Sequence, residues 1–422
     1  MDLYNELKER GLVFQVSNEE AVKAYLSKKG GKFYLGFDPT AESLHVGSLL
    51  PITFIKRLEN AGLKPIILVG GATGLIGDPS GKSQERNLLD LKTVKKNVCG
   101  LKKQLSRFFY FGNIFIGKKV LLVDNYDWIS KISFIELLRD FGKHFTVNEM
   151  ISKESVQKRM LTGISFTEFT YMILQAIDFL NLFKKYNCVM QVGGSDQWGN
   201  MVAGVELIRK KISKEGLALS MPLVTKADGT KFGKSESGAV WLDSKLTSAY
   251  HFYQFWINVE DASVIKFLKY YTFLSLEEIK KLEDSLVREP EKRDAQKVLA
   301  REMTCFVHGQ KAVERIEAIS PLLFYGKIKE LSGEDLKDVF SGSAVRELGN
   351  FAELPIAEFL VKAGVVDSKR QAREDVENKA IEINGDKIAD LDYKLGKKDF
   401  MQGKYILVKR GKKDYHFIKL TN

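Results

Sequence analysis

The first half of this 422-residue chain alternates short apolar runs with longer helix-forming stretches. Strands that alternate with helices join as parallel strands through helical crossovers, which predicts an α/β fold with an open, doubly wound parallel sheet. Ligands of such a sheet bind beyond the carboxyl ends of its strands. The strand-length apolar runs lie at 33–38, 64–70, 119–124 and 188–193, with a weaker one near 221–226. The helical stretches lie at 44–61, roughly 90–112, 133–143, 166–186 and 198–212.

The second half of the sequence changes character twice. A helical pattern covers about 247–318 and gives way to a Gly/Ser-rich stretch at 320–352, which indicates an irregular connector. A compact unit follows, with helices predicted near 354–364 and 368–377 and strands near 380–389 and 404–418. We therefore predict four regions: an α/β domain at 1–225, a helical domain at 226–320 that opens with a basic loop, a linker at 321–352 and a small α+β domain at 353–422.

The formal net charge of +11 is concentrated at the C-terminal end of the chain. From Lys394 onwards there are nine Lys or Arg residues and only two acidic residues, Asp399 and Asp414. Such a basic segment favours an anionic polymer as partner, and a solvated basic surface is the alternative interpretation.

Cysteine usage and hydropathy exclude several classes of protein. Cys99, Cys188 and Cys305 stand far apart without a CxxC pair, which argues against a disulfide framework or a zinc ribbon and fits a reducing cytoplasm. No apolar run approaches the ~20 residues that span a bilayer, and the charged N-terminus is unlike a signal peptide. We therefore expect a cytoplasmic protein without a membrane partner.

The first polar motif follows the strand at 33–38. Asp38 and Thr40 end that strand, and His45 and Gly47 fall where the next helix begins. A helix N-terminus presents free N–H groups and a positive dipole end, and an imidazole with a threonine hydroxyl there suits a phosphate. Gly47 allows a flat group such as adenine to approach the backbone. The alternative is that His45 caps the helix or packs in the core.

A glycine-rich stretch at 69–86 follows the second strand. Its Gly-Lys-Ser lacks the Walker spacing, because three residues rather than four separate Gly77 from Gly81. Lys82 and Arg86 lie one helical turn apart and can face a polyphosphate together. A plain glycine-rich turn is the alternative interpretation.

Two further motifs place polar side chains near the same sheet edge. Tyr171, Gln175 and Asp178 share one face of an otherwise apolar helix, where a polar ligand would satisfy them if they are buried; a solvated polar edge is the alternative. After the strand at 188–193, Asp196 and Gln197 enter a helix at a position where carboxylates commonly hold ribose hydroxyls.

The last motif is a Gly/Ser-rich loop at 225–243 that carries Lys226, Lys231 and Lys234. Lysines on a mobile loop can close over a pyrophosphate leaving group and neutralise the charge that develops on it. By itself this pattern is more typical of a basic surface loop.

Taken together, these segments resemble the bacterial tyrosyl-tRNA synthetases, a family of class I aminoacyl-tRNA synthetases. HVGS at 45–48 is similar to their HIGH signature and KFGKS at 231–235 to their KMSKS signature. Each pattern is weak alone, but their order, the almost 190 residues between them and the intervening GGSDQWGN and YMILQAIDF make the combination specific. The resemblance covers nearly the whole chain and implies a Rossmann-like catalytic domain, with a C-terminal region similar to the S-four type of RNA-binding domain.

The resemblance also implies roles for individual residues. Tyrosine would be bound through its phenol and ammonium groups, ATP through its ribose and phosphates, and pyrophosphate by a cradle of basic side chains. The tyrosine-binding set is Tyr34, Asp78, Tyr171, Gln175, Asp178, Gln191 and Gln197. The ATP-binding set is Gly36, Asp38, Thr40, His45, Gly47, Gly194, Asp196, Lys231 and Lys234. The catalytic set is Thr40, His45, Lys82, Arg86, Lys231 and Lys234.

The implied reaction joins tyrosine to tRNA(Tyr) with ATP, which arrives with Mg²⁺ as a substrate complex; no tightly bound metal is expected. A homodimer without DNA or membrane partners is also implied. The sequence departs from the signatures at Ser48, which replaces a second His, and at Phe232 and Gly233, which replace Met and Ser. Tryptophanyl-tRNA synthetase, a small-molecule nucleotidyltransferase and a non-catalytic RNA-binding protein are the alternatives. Tyr34 with Asp178 favours a phenol over an indole, because an indole N–H only donates.

Overall fold

The computed structural model describes residues 2–80, 88–112, 120–224, 232–235, 238–324, 327–340, 346–349, 353–411 and 414–421. The chain divides into two compact units. Unit 1 comprises residues 1–242 and 259–299, and unit 2 comprises residues 243–258 and 300–422.

Unit 1 is built on a six-stranded sheet in the order β1-β6-β5-β2-β3-β4. The neighbouring strands from β6 to β4 are parallel, and the short edge strand β1 pairs antiparallel with β6. The predicted doubly wound parallel sheet is therefore confirmed. The strands are β1 Gln15–Val16, β2 Lys32–Phe37, β3 Lys64–Val69, β4 Leu121–Asp124, β5 Met190–Gly194 and β6 Leu217–Met221.

The strand order reverses beside β2. From β2 the chain proceeds through β3 to β4 on one side, and it then returns to form β5 and β6 on the other. In the β2–β5 pair, Tyr34 lies opposite Gln191. A crevice forms where the carboxyl ends of two strands diverge at such a reversal, and this is where ligands of doubly wound sheets bind.

Helices cover the sheet of unit 1 and bury its apolar strands. Ile66 and Ile67 of β3 are fully buried, as expected for a parallel strand covered on both faces. The longest helix, α10, begins at the cap Ser165, whose hydroxyl accepts from the backbone N–H of Glu168, and ends at Asn187 in the left-handed conformation. The helices are α1 Leu3–Glu9, α2 Glu19–Leu26, α3 Leu49–Asn60, α4 Thr73–Ile76, α5 Leu91–Phe108, α6 Tyr126–Ile129, α7 Phe134–Glu136, α8 Val147–Ile151, α9 Glu154–Met160, α10 Phe166–Tyr186 and α11 Trp198–Ile212.

Three predicted elements of unit 1 differ from the structure. The helix predicted at 44–61 starts with a 3₁₀ turn at Val46–Ser48, and the one predicted at 133–143 is broken into short α, π and 3₁₀ segments. The weak strand predicted near 221–226 was wrong for residues 222–224, because β6 ends at Met221, where its pairing with Gly194 also ends; residues 225 and 226 lie outside the described residues. The next residue is Pro222, which has no N–H to donate to a sheet.

The segments after β6 add a short hairpin and several helices. The hairpin pairs β7 Lys234–Ser235 with β8 Gly238–Ala239. The helices are α12 Ala249–Ile257, α13 Asp261–Tyr271, α14 Leu276–Arg288, α15 Asp294–His308 and α16 Gln310–Phe324. No helix within the described ranges is long and apolar enough to cross a membrane.

The C-terminal part of unit 2 contains a five-stranded sheet in the order β12-β11-β14-β15-β9. Its main core joins α18 and α19 to the sheet through Phe359, Val376 and Ile406, all of which are fully buried. The elements are α17 Gly333–Phe340, β9 Arg346–Gly349, β10 Leu354–Pro355, α18 Ile356–Lys362, α19 Lys369–Glu377, β11 Ile381–Ile383, β12 Asp386–Ile388, β13 Lys394–Leu395, β14 Tyr405–Arg410 and β15 Asp414–Thr421.

The stretch predicted as an irregular linker, 321–352, contains folded structure. Helix α17 buries Leu336 and Phe340, and the Phe340 ring stacks on Phe417 with centroids 5.1 Å apart. Strand β9 pairs parallel with β15 at the edge of the sheet. The linker interpretation was therefore wrong for these elements, because their apolar residues pack against strands distant in sequence. The domain boundaries at 225 and 320 stay predictions.

Candidate active site

A cavity of about 520 Å³ opens in unit 1 at the carboxyl ends of β2 and β5. Strand β2 brings Tyr34 and Asp38 to it, β5 brings Gln191, and α10 brings its predicted polar stripe. The cavity therefore unites motifs from Tyr34 to Gln197, which are 163 residues apart in the sequence. The predicted site residues that line it are Tyr34, Gly36, Asp38, His45, Gly47, Asp78, Tyr171, Gln175, Asp178, Gln191, Gly194, Asp196 and Gln197.

The innermost charged group of the cavity is the carboxylate of Asp178. Asn125 Nδ2 donates to Asp178 Oδ2 at 2.9 Å, and Trp128 Nε1 donates to Oδ1 at 2.8 Å. Burial raises the pKa of Asp178 to about 7, although these two hydrogen bonds act in the opposite direction. The carboxylate is thus oriented by two donors and remains poised near neutral pH.

Two buried polar atoms beside Asp178 have no hydrogen-bond partner among the described residues: the hydroxyl of Tyr34 and Oε1 of Gln191. The Tyr34 ring is fixed against Phe179, with centroids 5.3 Å apart. Burial, and then the charge of Asp178, raises the pKa of Tyr34 above its usual range, so the hydroxyl stays protonated. A buried polar atom without a partner costs about 1–3 kcal/mol, which a bound polar ligand would offset.

A second group of polar side chains is centred on Asp38. The Tyr171 hydroxyl donates to Asp38 Oδ2 at 2.7 Å, and Thr73 Oγ1 donates to Oδ1 at 2.8 Å. Burial, and then Asp38, raises the pKa of Tyr171 above its usual range. Asn125 Nδ2 is also 3.0 Å from Thr73 Oγ1, so this group is continuous with the one around Asp178.

A third group of polar side chains surrounds Asp78, which also lines the cavity. Gln197 Nε2 donates to Asp78 Oδ2 at 2.6 Å, and the backbone N–H of Ser80 donates to Oδ1 at 2.9 Å. Asn200 Nδ2 lies 3.1 Å from Gln175 Oε1 and 3.3 Å from Gln197 Oε1. These contacts hold one carboxylate and three neutral amides together, an arrangement suited to an ammonium group.

The HVGS signature lies at the mouth of the cavity, next to the first residues of the KFGKS signature that the structure describes. His45 caps the 3₁₀ turn by accepting the N–H of Gly47 on Nδ1 at 3.0 Å, and its ring packs edge-on against Trp241. Gly233 has a φ of +99°, and a Cβ on it would come within 3.1 Å of the Gly47 nitrogen. The two signatures are therefore in backbone contact, which the sequence spacing alone did not show.

Some predicted site residues are not assembled at the cavity. Thr40 is exposed and does not belong to the cavity lining; its backbone N–H donates to the Asp38 carbonyl at 2.9 Å. Lys82, Arg86 and Lys231 lie outside the described residues. The backbone of Lys234 forms part of β7.

Sequence analysis missed four residues that support the site: Thr73, Asn125, Trp128 and Asn200. Asn125 also accepts the backbone N–H of Ala72 at 2.7 Å and is fully buried. The available signal was the polar NYDW run directly after β4, at the same sheet edge as Asp38. In the described part of the chain, no group of three or more His, Cys, Asp or Glu residues is arranged to hold a metal ion.

Comparison with known proteins identifies the family of the chain. Residues 27–324 match the family of class I tRNA synthetases for tryptophan and tyrosine. The chain belongs to this family. Residues 335–418 match the C-terminal domain of the SYY-like tyrosine–tRNA ligases.

Relatives of this class I synthetase match it over almost the whole of both chains. This chain is 51% identical to the tyrosine–tRNA ligase of Bacillus caldotenax over 422 residues, an alignment that covers 99% of this chain and 100% of the relative. It is 52% identical to that of Streptococcus mutans, covering 98% and 99%. Among solved structures, a C-terminally truncated mitochondrial tyrosyl-tRNA synthetase of Aspergillus nidulans superposes with a TM-score of 0.67 at 32% identity, covering 76% of this synthetase and 93% of that chain.

Proposed function

We propose that this chain is a tyrosine–tRNA ligase. It activates tyrosine with ATP to give tyrosyl-adenylate and pyrophosphate, and it then transfers the tyrosyl group to the 3′-terminal adenosine of tRNA(Tyr). The observation that carries the proposal is the Tyr34 hydroxyl, which has no hydrogen-bond partner among the described residues and lies in the same pocket as the Asp178 carboxylate. Together these groups complement a phenol, in a family whose members act with tyrosine or tryptophan.

Recognition of the phenol uses both hydrogen-bonding directions of its hydroxyl. The substrate hydroxyl donates to Asp178, and its oxygen accepts from Tyr34. Phenylalanine would leave the buried Tyr34 hydroxyl unsatisfied, at about 1–3 kcal/mol, and would offer Asp178 no donor in addition to Asn125 and Trp128. An indole N–H would satisfy the acceptor only, which disfavours tryptophan. Asn125 and Trp128 support this selection by keeping Asp178 in one orientation.

The amino and carboxylate ends of the substrate extend from the phenol site towards the cavity mouth. Asp78, Tyr171 and Gln175 bind the ammonium group, with Asp78 supplying the negative charge. Gln191 and Gln197 line the path of the amino acid and its adenylate. The cluster of Asp38, Asp78 and Asp178 in one cavity supports this assignment, because carboxylates attract a cationic group strongly where water is excluded.

Activation is an in-line displacement at phosphorus. A carboxylate oxygen of tyrosine attacks the α-phosphorus of ATP, the bond from that phosphorus to the β-phosphate bridging oxygen breaks, and pyrophosphate leaves. The protein supplies no nucleophile; it positions the reactants and stabilises the charge of the transition state. Gly36, Gly194 and Asp196 bind the ribose, and Gly47 leaves space for the adenine.

Charge stabilisation at the phosphates is assigned to the helix start and the basic side chains. His45 and Thr40 act on the γ-phosphate, and Lys82, Arg86, Lys231 and Lys234 form the pyrophosphate cradle. For the lysines and the arginine the support comes from the sequence motifs. Mg²⁺ would arrive with ATP as part of the substrate complex.

In the second step, the 2′ hydroxyl of the terminal tRNA ribose attacks the carbonyl carbon of the adenylate, and AMP leaves. We assign part of the tRNA binding to the basic C-terminal residues of unit 2. Lys397, Lys398 and Lys404 are exposed there, where they can contact phosphates. The reaction belongs in the cytoplasm, where tRNA is used.

We also propose that the enzyme is a homodimer through the apolar surface around α7 and α8. Phe134, Ile135, Leu138, Val147 and Phe166 are 48–69% exposed, and an apolar hollow of about 580 Å³ lies among them. A contiguous exposed surface of this kind is typical of a protein–protein interface. A second copy of the chain is the occupant, because such interfaces are most often formed by C2-related copies.

The test is ATP–pyrophosphate exchange by the purified protein with each amino acid in turn and without tRNA. Exchange with tyrosine alone is expected, and charging of tRNA(Tyr) when the tRNA is added. Exchange with tryptophan instead would assign the chain to the other branch of its family. Absence of exchange with every amino acid, in a protein that is correctly folded by circular dichroism, would refute the proposal.

A further inference from the structure

Two buried arginines meet at the C-terminal end of α13. Arg57, on α3, donates from Nη2 to the Thr272 carbonyl at 2.6 Å. Arg10, which follows α1, donates from Nη2 to the Leu274 carbonyl at 2.7 Å. Arg10 Nη1 also donates to the carbonyl of Lys269, in the last turn of α13, at 3.4 Å. The last carbonyls of a helix have no partners within the helix, so cationic donors beside them satisfy these acceptors and complement the negative end of the helix dipole.

A single carboxylate joins the two arginines. Glu6 Oε1 accepts from Arg10 Nε at 2.8 Å and from Arg57 Nη1 at 3.2 Å. The Arg57 guanidinium also lies over the Phe273 ring, 5.2 Å from its centroid. Burial, and then the charge of Arg10, lowers the pKa of Arg57 to about 10, which leaves it cationic at neutral pH. We call Glu6, Arg10 and Arg57 the arginine clamp; it ties α1 and α3 to the end of α13.

Helix α13 also contacts Phe232 of the KFGKS signature. The Phe232 ring packs against Phe267 with centroids 4.5 Å apart and against Tyr271 with centroids 6.2 Å apart. Phe232 is 9% exposed and forms part of the cavity wall. An aromatic ring between two others is well fixed, so the position of α13 determines that of Phe232.

Helix α3, in turn, follows directly from the HVGS signature. The backbone N–H of Val46 donates to the Val240 carbonyl at 2.8 Å, and the N–H of Val240 donates to the Gly233 carbonyl at 3.1 Å. If α13 moves relative to α3, Phe232 and Gly233 should therefore shift with α13. His45 and Gly47 should keep their position relative to α3. Arg57 bridges these two helices without belonging to the cavity lining.

We propose that Arg57, supported by Arg10 and Glu6, is a positioning residue for adenylate formation: it sets the distance between the HVGS and KFGKS signatures by fixing α13 to α3. This inference rests on the proposed function, because it concerns the ATP-dependent step. Tyrosine binds deeper in the cavity, through Tyr34 and Asp178, and does not depend on the clamp.

The test compares Arg57→Met with Lys56→Met. Lys56 is the adjacent residue on α3 and donates to the Phe108 carbonyl at the end of α5, so it is a matched control that does not contact α13. Arg57→Met should lower kcat for pyrophosphate exchange by about 10–100-fold, as small misplacements of reacting groups do. The dissociation constant for tyrosine should change less than about 2-fold, and Arg57→Lys should recover part of kcat because its ammonium can still donate to Thr272.

A double-mutant cycle with Phe232→Ala tests the route of the effect. If Arg57 acts through Phe232, the Arg57→Met loss should be much smaller in the Phe232→Ala background. Should Arg57→Met fail to fold, Glu6→Gln keeps both arginines and is expected to lower kcat by about 3–10-fold, with the same non-additivity. Equal losses in Lys56→Met and Arg57→Met, fully additive losses in the cycle, or weakened tyrosine binding would each overturn the inference. An inactive wild-type protein would instead refute the proposed function.

Discussion

The indole nitrogen of Trp128 donates a 2.8 Å hydrogen bond to Oδ1 of Asp178, a carboxylate buried inside unit 1. Asn125 holds the other oxygen at 2.9 Å. Asn125 and Trp128, in the segment after β4, thus orient the Asp178 carboxylate on α10. This carboxylate can still accept a hydrogen bond from a ligand in the cavity. The proposed preference for a phenol depends on this arrangement as much as on Asp178 itself.

Asp178 should make the stability of the ligand-free protein fall as pH rises. Its pKa is about 7 in the folded protein and 3.8 as the ordinary value, so between these values the folded state binds more protons than the unfolded state. Raising the pH from 5 to 8 removes this proton from the folded state and should lower the free energy of unfolding by about 3 kcal/mol. The value follows from about 1.4 kcal/mol for each pKa unit. Urea unfolding of wild type and Asp178→Asn at both pH values measures the difference. An identical pH dependence in the two proteins would contradict the expectation.

The Tyr34 hydroxyl should serve binding rather than folding. Because it has no partner in the described structure, Tyr34→Phe should leave stability unchanged or raise it, while tyrosine affinity falls by about 10-fold. Tyr25→Phe is the control, since the Tyr25 hydroxyl donates to the Lys32 carbonyl at 2.9 Å. That variant should lose about 1 kcal/mol of stability and keep its tyrosine affinity. Calorimetric titration and thermal melting separate the two results; a large loss of stability in Tyr34→Phe would argue against the assignment.

We expect that Gly233 cannot be replaced without loss of activity, because of its close contact with Gly47 as well as its backbone conformation. Gly233 and Gly238 have φ values of +99° and +113°, but a Cβ at Gly238 would meet nothing within 4 Å. Gly233→Ala and Gly238→Ala should therefore carry similar backbone strain, about 1 kcal/mol. Only Gly233→Ala should also lower the pyrophosphate exchange rate, by about 10-fold. Equal rates in the two variants would show that the close approach is unimportant.

A charge introduced at an exposed residue of the proposed dimer surface should weaken self-association. Phe134→Glu is expected to weaken self-association by about 100-fold or more, because burying an unpaired carboxylate is costly. Phe14→Glu is the control: Phe14 is 59% exposed, close to the 62% of Phe134, and lies outside the apolar hollow. Sedimentation equilibrium gives the dissociation constants. A wild-type protein that is monomeric at micromolar concentration would remove the basis for this prediction.

The exposed lysines of unit 2 should contribute salt-dependent affinity for tRNA. Replacing Lys397, Lys398 and Lys404 together by Gln should reduce the slope of log K against log salt by up to about 3, at roughly 0.7–0.9 per phosphate contact. The matched triple variant of Lys23, Lys28 and Lys29, which are equally exposed in unit 1, should change the slope little. Filter binding over a salt series is the measurement. A loss of affinity that is independent of salt would mean that these lysines do not contact phosphates.

Periodicity located most of the regular structure. The strand around Ile66 and the helix around Tyr171 were predicted within a residue or two, because a buried parallel strand and an amphipathic helix leave a local pattern. The strand near 221–226 was misplaced, since only pairing with β5 distinguishes Leu217–Met221 from the apolar residues that follow. The helix and strand within the predicted linker were missed because Phe340 and Leu348 gain their burial from β14 and β15.

The sequence by itself determined the doubly wound sheet, the two signatures and the polar residues of the cavity, because each is written in local periodicity or in a short motif. Only the tertiary structure decided that Asn125 and Trp128 orient Asp178, that Thr40 lies outside the cavity lining and that Gly233 touches Gly47. These relationships join residues far apart in the chain through hydrogen bonds and contacts of a few ångströms. The order of residues along one chain carries no direct record of such distances, which are set by how the helices and strands pack.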